Sequence, residues 1–260
     1  MRRRLPRMMA CLAAGGWLVC TVPASGVESS QHSSIPFHTI LELEQTARLL
    51  AILLDSGRAV VNDNQPLLDD PPKGGKRFTP QVFERQLLDM FRGRAGIDLQ
   101  EIETTTLPQR SKHLLKELVA VSRLVIEEAQ AEVNREGAGF NGFIPAVFGA
   151  RVAVRFTAKT GVRLKQTALV PRNPANRPDP YEQVALEAFA DSAYPREKVI
   201  SEMAANSSAL RLMFPLYATR HCLACHGAPK GSLDRTGYPR EGLELGQNAG
   251  AISVLLPITK

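Results

Sequence analysis

The chain has 260 residues, 44% of them hydrophobic and 22% charged, which is ordinary globular composition and excludes disordered and fibrous classes. Its net charge of +6 is unevenly placed: Arg2, Arg3, Arg4 and Arg7 precede the first acid, Glu28. The small, dispersed positive balance that remains after them argues against a nucleic-acid partner.

The N-terminus reads as an export signal. Arg2 to Arg7 form a positive region, Met8 to Val22 an apolar one, and Ala24, Ser25 and Gly26 a small-residue cleavage site, so residues 1–26 are assigned to a signal peptide and 27–260 to one domain. The apolar run is shorter than the roughly twenty residues of a membrane-spanning helix. A leader that stays uncleaved would act as a membrane anchor, and the sequence leaves that alternative open. The expected location is exported and periplasmic. Cleavage would carry away Cys11 and Cys20 and leave two cysteines, Cys222 and Cys225.

Beyond the leader, Phe37 to Val61 places Leu43, Ala47, Leu50 and Leu54 at helical spacing. A loop rich in Pro and Gly follows, with Pro66, Pro71, Pro72, Gly74 and Gly75. Thr79 with Pro80 opens a helix through Phe91, and Ser111 is read as the cap of a helix over Lys112 to Val133, with Leu115, Leu118, Ser122 and Val125 on one face. Gly137 to Gly142 break it. Pro145 starts a further helix to Lys159, with Val147, Val154 and Phe156 as core candidates, and Gly161 ends it. Val162 to Leu169 alternates as a half-buried strand. A loop from Pro171 to Pro180 leads, at Asp179-Pro180, into a helix to Phe189. Val199 to Met203, Leu210 to Tyr217 and Ala251 to Ile258 read as strands. Helices first and strands afterwards predict an α+β domain built on an antiparallel sheet.

Between the last two strands lies His221-Cys222-Leu223-Ala224-Cys225-His226. Cys-x-x-Cys-His is the attachment sequence for c-type haem. Two thiols one helical turn apart can add to the two vinyl groups of one porphyrin, and the adjacent His226 then falls under the iron as proximal ligand. A thioredoxin-like pair would stand at a strand-to-helix turn early in a βαβ unit, whereas this pair is near the C-terminus. Zinc is disfavoured because four ligands so close in sequence cannot easily close a tetrahedron. One covalent haem c is the expected cofactor.

Several segments together resemble a known family. They are Gly57-Arg58-Ala59-Val60, then Arg172-Asn173-Pro174-Ala175-Asn176-Arg177-Pro178-Asp179 with Tyr181-Glu182, the Cys222 to Gly227 motif, Tyr238-Pro239, and Gly246 before Gly250-Ala251-Ile252-Ser253-Val254. In that order the chain resembles the Tll0287-like family of c-type haem domains. The resemblance implies a PAS-like antiparallel sheet with long N-terminal helices packed against it and one covalently bound haem. It also implies a domain that stands alone in the periplasm or serves as the input module of a membrane sensor. No output module follows here, so a stand-alone member is expected. Some members supply a cysteine as sixth iron ligand from the helix before the Arg-Asn-Pro block. The corresponding stretch here, Gly142 to Val147, contains none.

Met213, Met203, Met90, His113, His221, His32 and His38 remain as candidates for the sixth position, with Met213 closest in sequence to the motif within a strand. With no such ligand the iron would be open to a small molecule. Arg155, Lys165, Arg172 and Arg211 are candidate partners of the haem propionates, Arg172 and Arg211 foremost. Asn173 and Asn176 are read as loop-holding residues, and Gly227, Gly246 and Gly250 as turn or close-approach positions. The function expected from this set is a haem-based sensor of redox state or a diatomic gas, acting through a separate partner. An electron-transfer cytochrome exchanging electrons with a redox partner protein is the alternative. A haem peroxidase is less favoured, because no distal acid–base group is placed by the sequence.

Overall fold

A computed structural model of the chain describes residues 35–69, 77–133, 140–204 and 208–258. The leader therefore lies outside the described residues, as do Cys11, Cys20, His32 and Gly137 to Gly139. Among the described residues no helix is long and apolar enough to cross a membrane.

Among the described residues there are seven α-helices and four strands. Helix α1 runs Phe37–Asp63, α2 Gln65–Leu68, α3 Pro80–Ala95, α4 Gln109–Val133 and α5 Pro145–Thr160. Strand β1 (Arg163–Thr167) follows, then a 3-10 turn at Pro174–Asn176, α6 (Pro180–Ala190), β2 (Ile200–Met203), β3 (Ala209–Tyr217), the one-turn helix α7 (Leu223–His226) and β4 (Asn248–Pro257). The fold is α+β, with a sheet ordered β1-β4-β3-β2 and every pair antiparallel.

Local chemistry accounts for most boundaries. Thr79 caps α3 by accepting from the Val82 N–H, with Pro80 at the first position. Asp179 and Glu182 form a reciprocal capping box at α6. Gly161 closes α5 in the left-handed conformation, φ 73°. Two expectations fail at the level of single residues. Ser111 does not cap α4, which starts at Gln109; it lies inside the helix, and its hydroxyl meets that of Thr46 on α1 at 2.6 Å. Val154 is 70% exposed, because α5 turns the face bearing Phe148, Val152 and Phe156 to the core. Pro66, expected in a loop, instead lies in the first turn of the short α2.

α1 is the central helix. It packs against α3, α4 and α5 and crosses β3 and β4. The main core joins Leu50, Leu53 and Leu54 of α1 to Phe83, Leu118 and Phe148, and to Leu210, Leu212, Ile252 and Val254 of the sheet. The period-two alternation of β3 and β4 sends the other residues to the opposite face. There Met213 and Ala251 meet Ala185, Leu186 and Phe189 of α6 in a second, smaller cluster. The sheet is therefore covered on both faces. β3 ends at the mouth of the segment that carries the Cys-x-x-Cys-His sequence, and β4 takes the chain back into the sheet.

Candidate functional site

Cys222, Cys225 and His226 are displayed on one tight turn. The N–H groups of Cys225 and His226 both donate to the Cys222 carbonyl, at 3.2 and 2.9 Å, and Gly227 donates to the Leu223 carbonyl at 3.0 Å. A Cβ at position 227 would stand 2.6 Å from that same carbonyl, so this turn closes only over glycine. Both sulfurs are free thiols and partly exposed. Thr219 Oγ1 lies 3.2 Å from the Cys222 sulfur. Burial pushes the Cys225 thiol up from its usual range, and the Asp234 charge adds to this.

The imidazole of His226 is held from behind. Its Nδ1 lies 2.7 Å from a carboxylate oxygen of Glu241, which leaves Nε2 as the nitrogen able to face a ligand. Glu241 is gripped in turn by Arg172, whose Nε and Nη2 donate to its two oxygens at 2.6 and 2.9 Å. The same guanidinium donates to Asp234 at 2.6 Å and to the Cys225 carbonyl at 3.0 Å. It also stacks 5.5 Å from the Tyr238 ring. One arginine thus ties the Arg-Asn-Pro block to the back of the motif.

Asp234 is the deepest member. Its side chain is fully buried. One carboxylate oxygen accepts from the Thr236 N–H and hydroxyl and from the Tyr238 N–H. Burial alone would raise this carboxyl, but the hydrogen bonds from Thr236 and Arg172 outweigh it and hold the group far below its ordinary range. Glu241 behaves alike: burial raises it, and the bonds from Arg172 and His226 bring it below the usual carboxylate value. Both acids are therefore anionic at neutral pH. The motif segment is fastened to the helical layer by Arg235, which pairs with Asp69 at 2.6 Å and lies 4.2 Å from the Phe140 ring. His221 sits 3.4 Å from Asp63 at the end of α1.

Of the side chains singled out in the sequence, the structure brings Cys222, Cys225, His226 and Arg172 together. Arg172, expected at a propionate, has four of its N–H directions taken by Glu241, Asp234 and the Cys225 carbonyl. Arg211 belongs to another group: it pairs with Asp179 and stacks 4.3 Å from the Tyr181 ring, at the start of α6. Lys165 is bound to Glu182 and Arg155 to Glu128. Met213 is fully buried between the sheet and α6, among Leu186, Phe189 and Ala251. Met90 and Met203 pack on the main core, and His113 is exposed. Asn173 caps the 3-10 turn by accepting from Ala175, as a loop-holding residue should. At Gly250, φ is 126° and a Cβ would lie 2.4 Å from the Thr167 carbonyl, so the close approach made there is to β1.

Glu241, Asp234 and Tyr238 are what sequence reasoning missed as site residues. Glu241 is 15 residues from His226 and is reached across a loop with no periodic pattern. The available signal was the Asp234 to Tyr238 stretch, where Asp-Arg-Thr-Gly is a turn that folds onto its own carboxylate.

No curated protein matches the chain. Among solved structures, it is similar to the crystal structure of the cyanobacterial heme-protein Tll0287, at 20% identity and a TM-score of 0.42, over 59% of this chain and 98% of that one. The Tll0287-like family model matches residues 38–257, which span the helical layer, the sheet and the Cys-x-x-Cys-His turn, and the chain belongs to that family.

Proposed function

We propose that the chain is an exported haem protein that binds one haem c covalently through Cys222 and Cys225, with His226 as the axial iron ligand. The observation that carries this reading is the turn itself. It presents two free thiols and an imidazole whose Nδ1 is already engaged by Glu241, leaving Nε2 for a metal. Membership in a family whose namesake is described as a heme-protein supports it. When bound, the haem supplies one-electron exchange and an axial position for a small ligand.

The chain's own residues have separable tasks. Cys222 and Cys225 would hold the group by thioether bonds and His226 would bind its iron, while Glu241, Arg172 and Asp234 fix the ring of His226. Met213 is buried beneath α6, and Met90 and Met203 pack on the main core. Engagement of these methionines in core packing favours a periplasmic sensor of redox state or of a diatomic gas, acting through a separate partner protein. A leader removed at about residue 26 delivers the domain to the compartment where such haem is attached. Partial exposure favours a second reading, electron transfer: the His226 side chain is 40% exposed, so a haem here would present an edge to solvent and to a redox partner.

Protein matured through a cytochrome c assembly system tests both. A pyridine haemochrome spectrum of the c type is expected. Prompt carbon monoxide binding to the reduced protein supports sensing, and refusal of carbon monoxide by a low-spin reduced protein supports electron transfer. Absence of covalent haem overturns both.

A further inference from the structure

The arrangement behind His226 goes further than orienting a ring. A metal-bound histidine commonly donates its second N–H to a backbone carbonyl, a carboxylate or water, and the choice sets how strongly the ring donates to the metal. Here the acceptor is a full carboxylate, Glu241, at 2.7 Å. A carboxylate that accepts this proton places negative charge on the imidazole, makes it the stronger donor, and so favours the more highly charged oxidised metal.

That carboxylate is itself regulated by its neighbours. Arg172 contacts both Glu241 oxygens, at 2.6 and 2.9 Å, and neutralises part of the charge that Glu241 can lend to the ring. Arg172 is prevented from neutralising it fully because Asp234, fully buried, competes for the same guanidinium at 2.6 Å. The order along the line is imidazole, carboxylate, guanidinium, carboxylate. Main-chain N–H groups brace both ends: Leu243 donates to the His226 carbonyl at 2.7 Å, and Tyr238 to the Asp234 carboxylate at 3.1 Å. These bonds tie His226 and Glu241 to the 234–243 segment.

We propose that Glu241 is a positioning residue that tunes His226 as a strongly donating axial ligand, with Arg172 and Asp234 setting how much of its charge reaches the ring. The inference rests on the haem reading above and assigns a further role to residues outside the attachment motif. It places the iron of this domain toward the oxidised side relative to an otherwise identical site with a neutral acceptor.

The test uses the covalently loaded protein, with attachment verified by intact mass before any other measurement. Equilibrium redox titration then compares the parent with Glu241→Gln, which keeps the side-chain shape and an oxygen acceptor but removes the charge. The expected result is a higher potential, with the ratio of oxidised to reduced protein at a fixed poise falling about tenfold, or ~59 mV for one electron. Glu244→Gln is the control for charge alone, since Glu244 is exposed just beyond that segment. Its effect should be no more than a third of that shift. Arg172→Gln should move the potential the opposite way, because it frees the Glu241 charge for the ring.

If Glu241→Gln does not accumulate, Glu241→Asp retracts the charge by one methylene and should raise the potential by a smaller amount. Equal shifts in the Glu241 and Glu244 variants overturn the proposal and leave the haem reading standing, as does an unshifted Glu241→Asp. A parent protein that carries no haem overturns both.

Discussion

Replacing Arg172 by methionine keeps most of the side chain's bulk and removes every hydrogen bond it makes. Two of its partners differ sharply in environment. Glu241 is 35% exposed and can regain water, but the Asp234 side chain has no exposure and would keep its charge with no counter-ion. Breaking a buried pair from one side costs about 3–5 kcal/mol. The bonds that Asp234 retains from Thr236 and Tyr238 put this case at the lower end, about 3 kcal/mol. For a domain of this size that corresponds to a melting temperature lower by roughly 6–12 °C. Urea unfolding followed by circular dichroism, with all variants in the same state of maturation, reads the difference. Arg211→Met serves as comparison: its partner Asp179 is 43% exposed, and losing that pair together with the stacking on Tyr181 should cost only about 1 kcal/mol. Adding Asp234→Asn to Arg172→Met removes the stranded charge and should restore about 1 kcal/mol or more. If Arg172→Met costs no more than Arg211→Met, or if the double variant recovers nothing, the account of Arg172 as the tie between loop and motif is wrong.

Three further outcomes follow from particular contacts. Gly57 lies inside α1, where alanine would ordinarily stabilise by about 1 kcal/mol, but its Cβ would stand 2.8 Å from the Phe148 ring. Gly57→Ala should therefore destabilise by about 1–2 kcal/mol in urea, and in a Phe148→Leu background the same change should become neutral or stabilising. Asp234 has a folded-state pKa below its unfolded value, so its contribution to stability is complete above about pH 4 and is lost as pH falls toward the folded value. Urea midpoints should fall below pH 4 in the parent, and Asp234→Asn should flatten that limb; an unchanged slope would contradict the buried ion network. Met213→Leu nearly conserves volume beneath α6, so it should cost less than about 1.5 kcal/mol and leave the visible spectrum of the loaded protein unchanged. Loss of a sulfur-to-iron charge-transfer feature in that variant would show instead that the strand and α6 part to admit the metal.

The features visible in the sequence are those set by local rules. The heptad-like apolar spacing of α1, Thr79-Pro80 at α3 and Asp179-Pro180-Tyr181-Glu182 at α6 each specify an element through neighbours a few residues away, and each is found where expected. Ser111 shows the boundary of such rules. A serine ahead of an apolar run has the chemistry of a cap, but at this position the hydroxyl of Thr46, 65 residues away, is the partner that decides its place. Val154 fails for a similar reason, since apolar character does not say which side of a helix meets the core when both sides carry valines. In the site, Cys222, Cys225 and His226 announce themselves because the chemistry demands adjacency. Glu241 and Asp234 do not, because a carboxylate can reach an imidazole or a guanidinium from any loop the fold brings near, and the sequence separation between Arg172 and Glu241 is 69 residues. Spacing, caps and alternation carried the order of helices and strands, and the family resemblance added the PAS-like sheet with helices packed against it, while the alternation of charges behind the histidine emerged only from the packed chain.

Intact-mass determination tests the central claim most directly, applied to the processed protein matured with a cytochrome c assembly system and to its Cys222→Ala, Cys225→Ala variant. The account predicts that the parent carries the added mass of one haem that survives denaturation and that the double variant carries none. A parent polypeptide at its bare mass, with haem absent or removable by acid-acetone extraction, would contradict it.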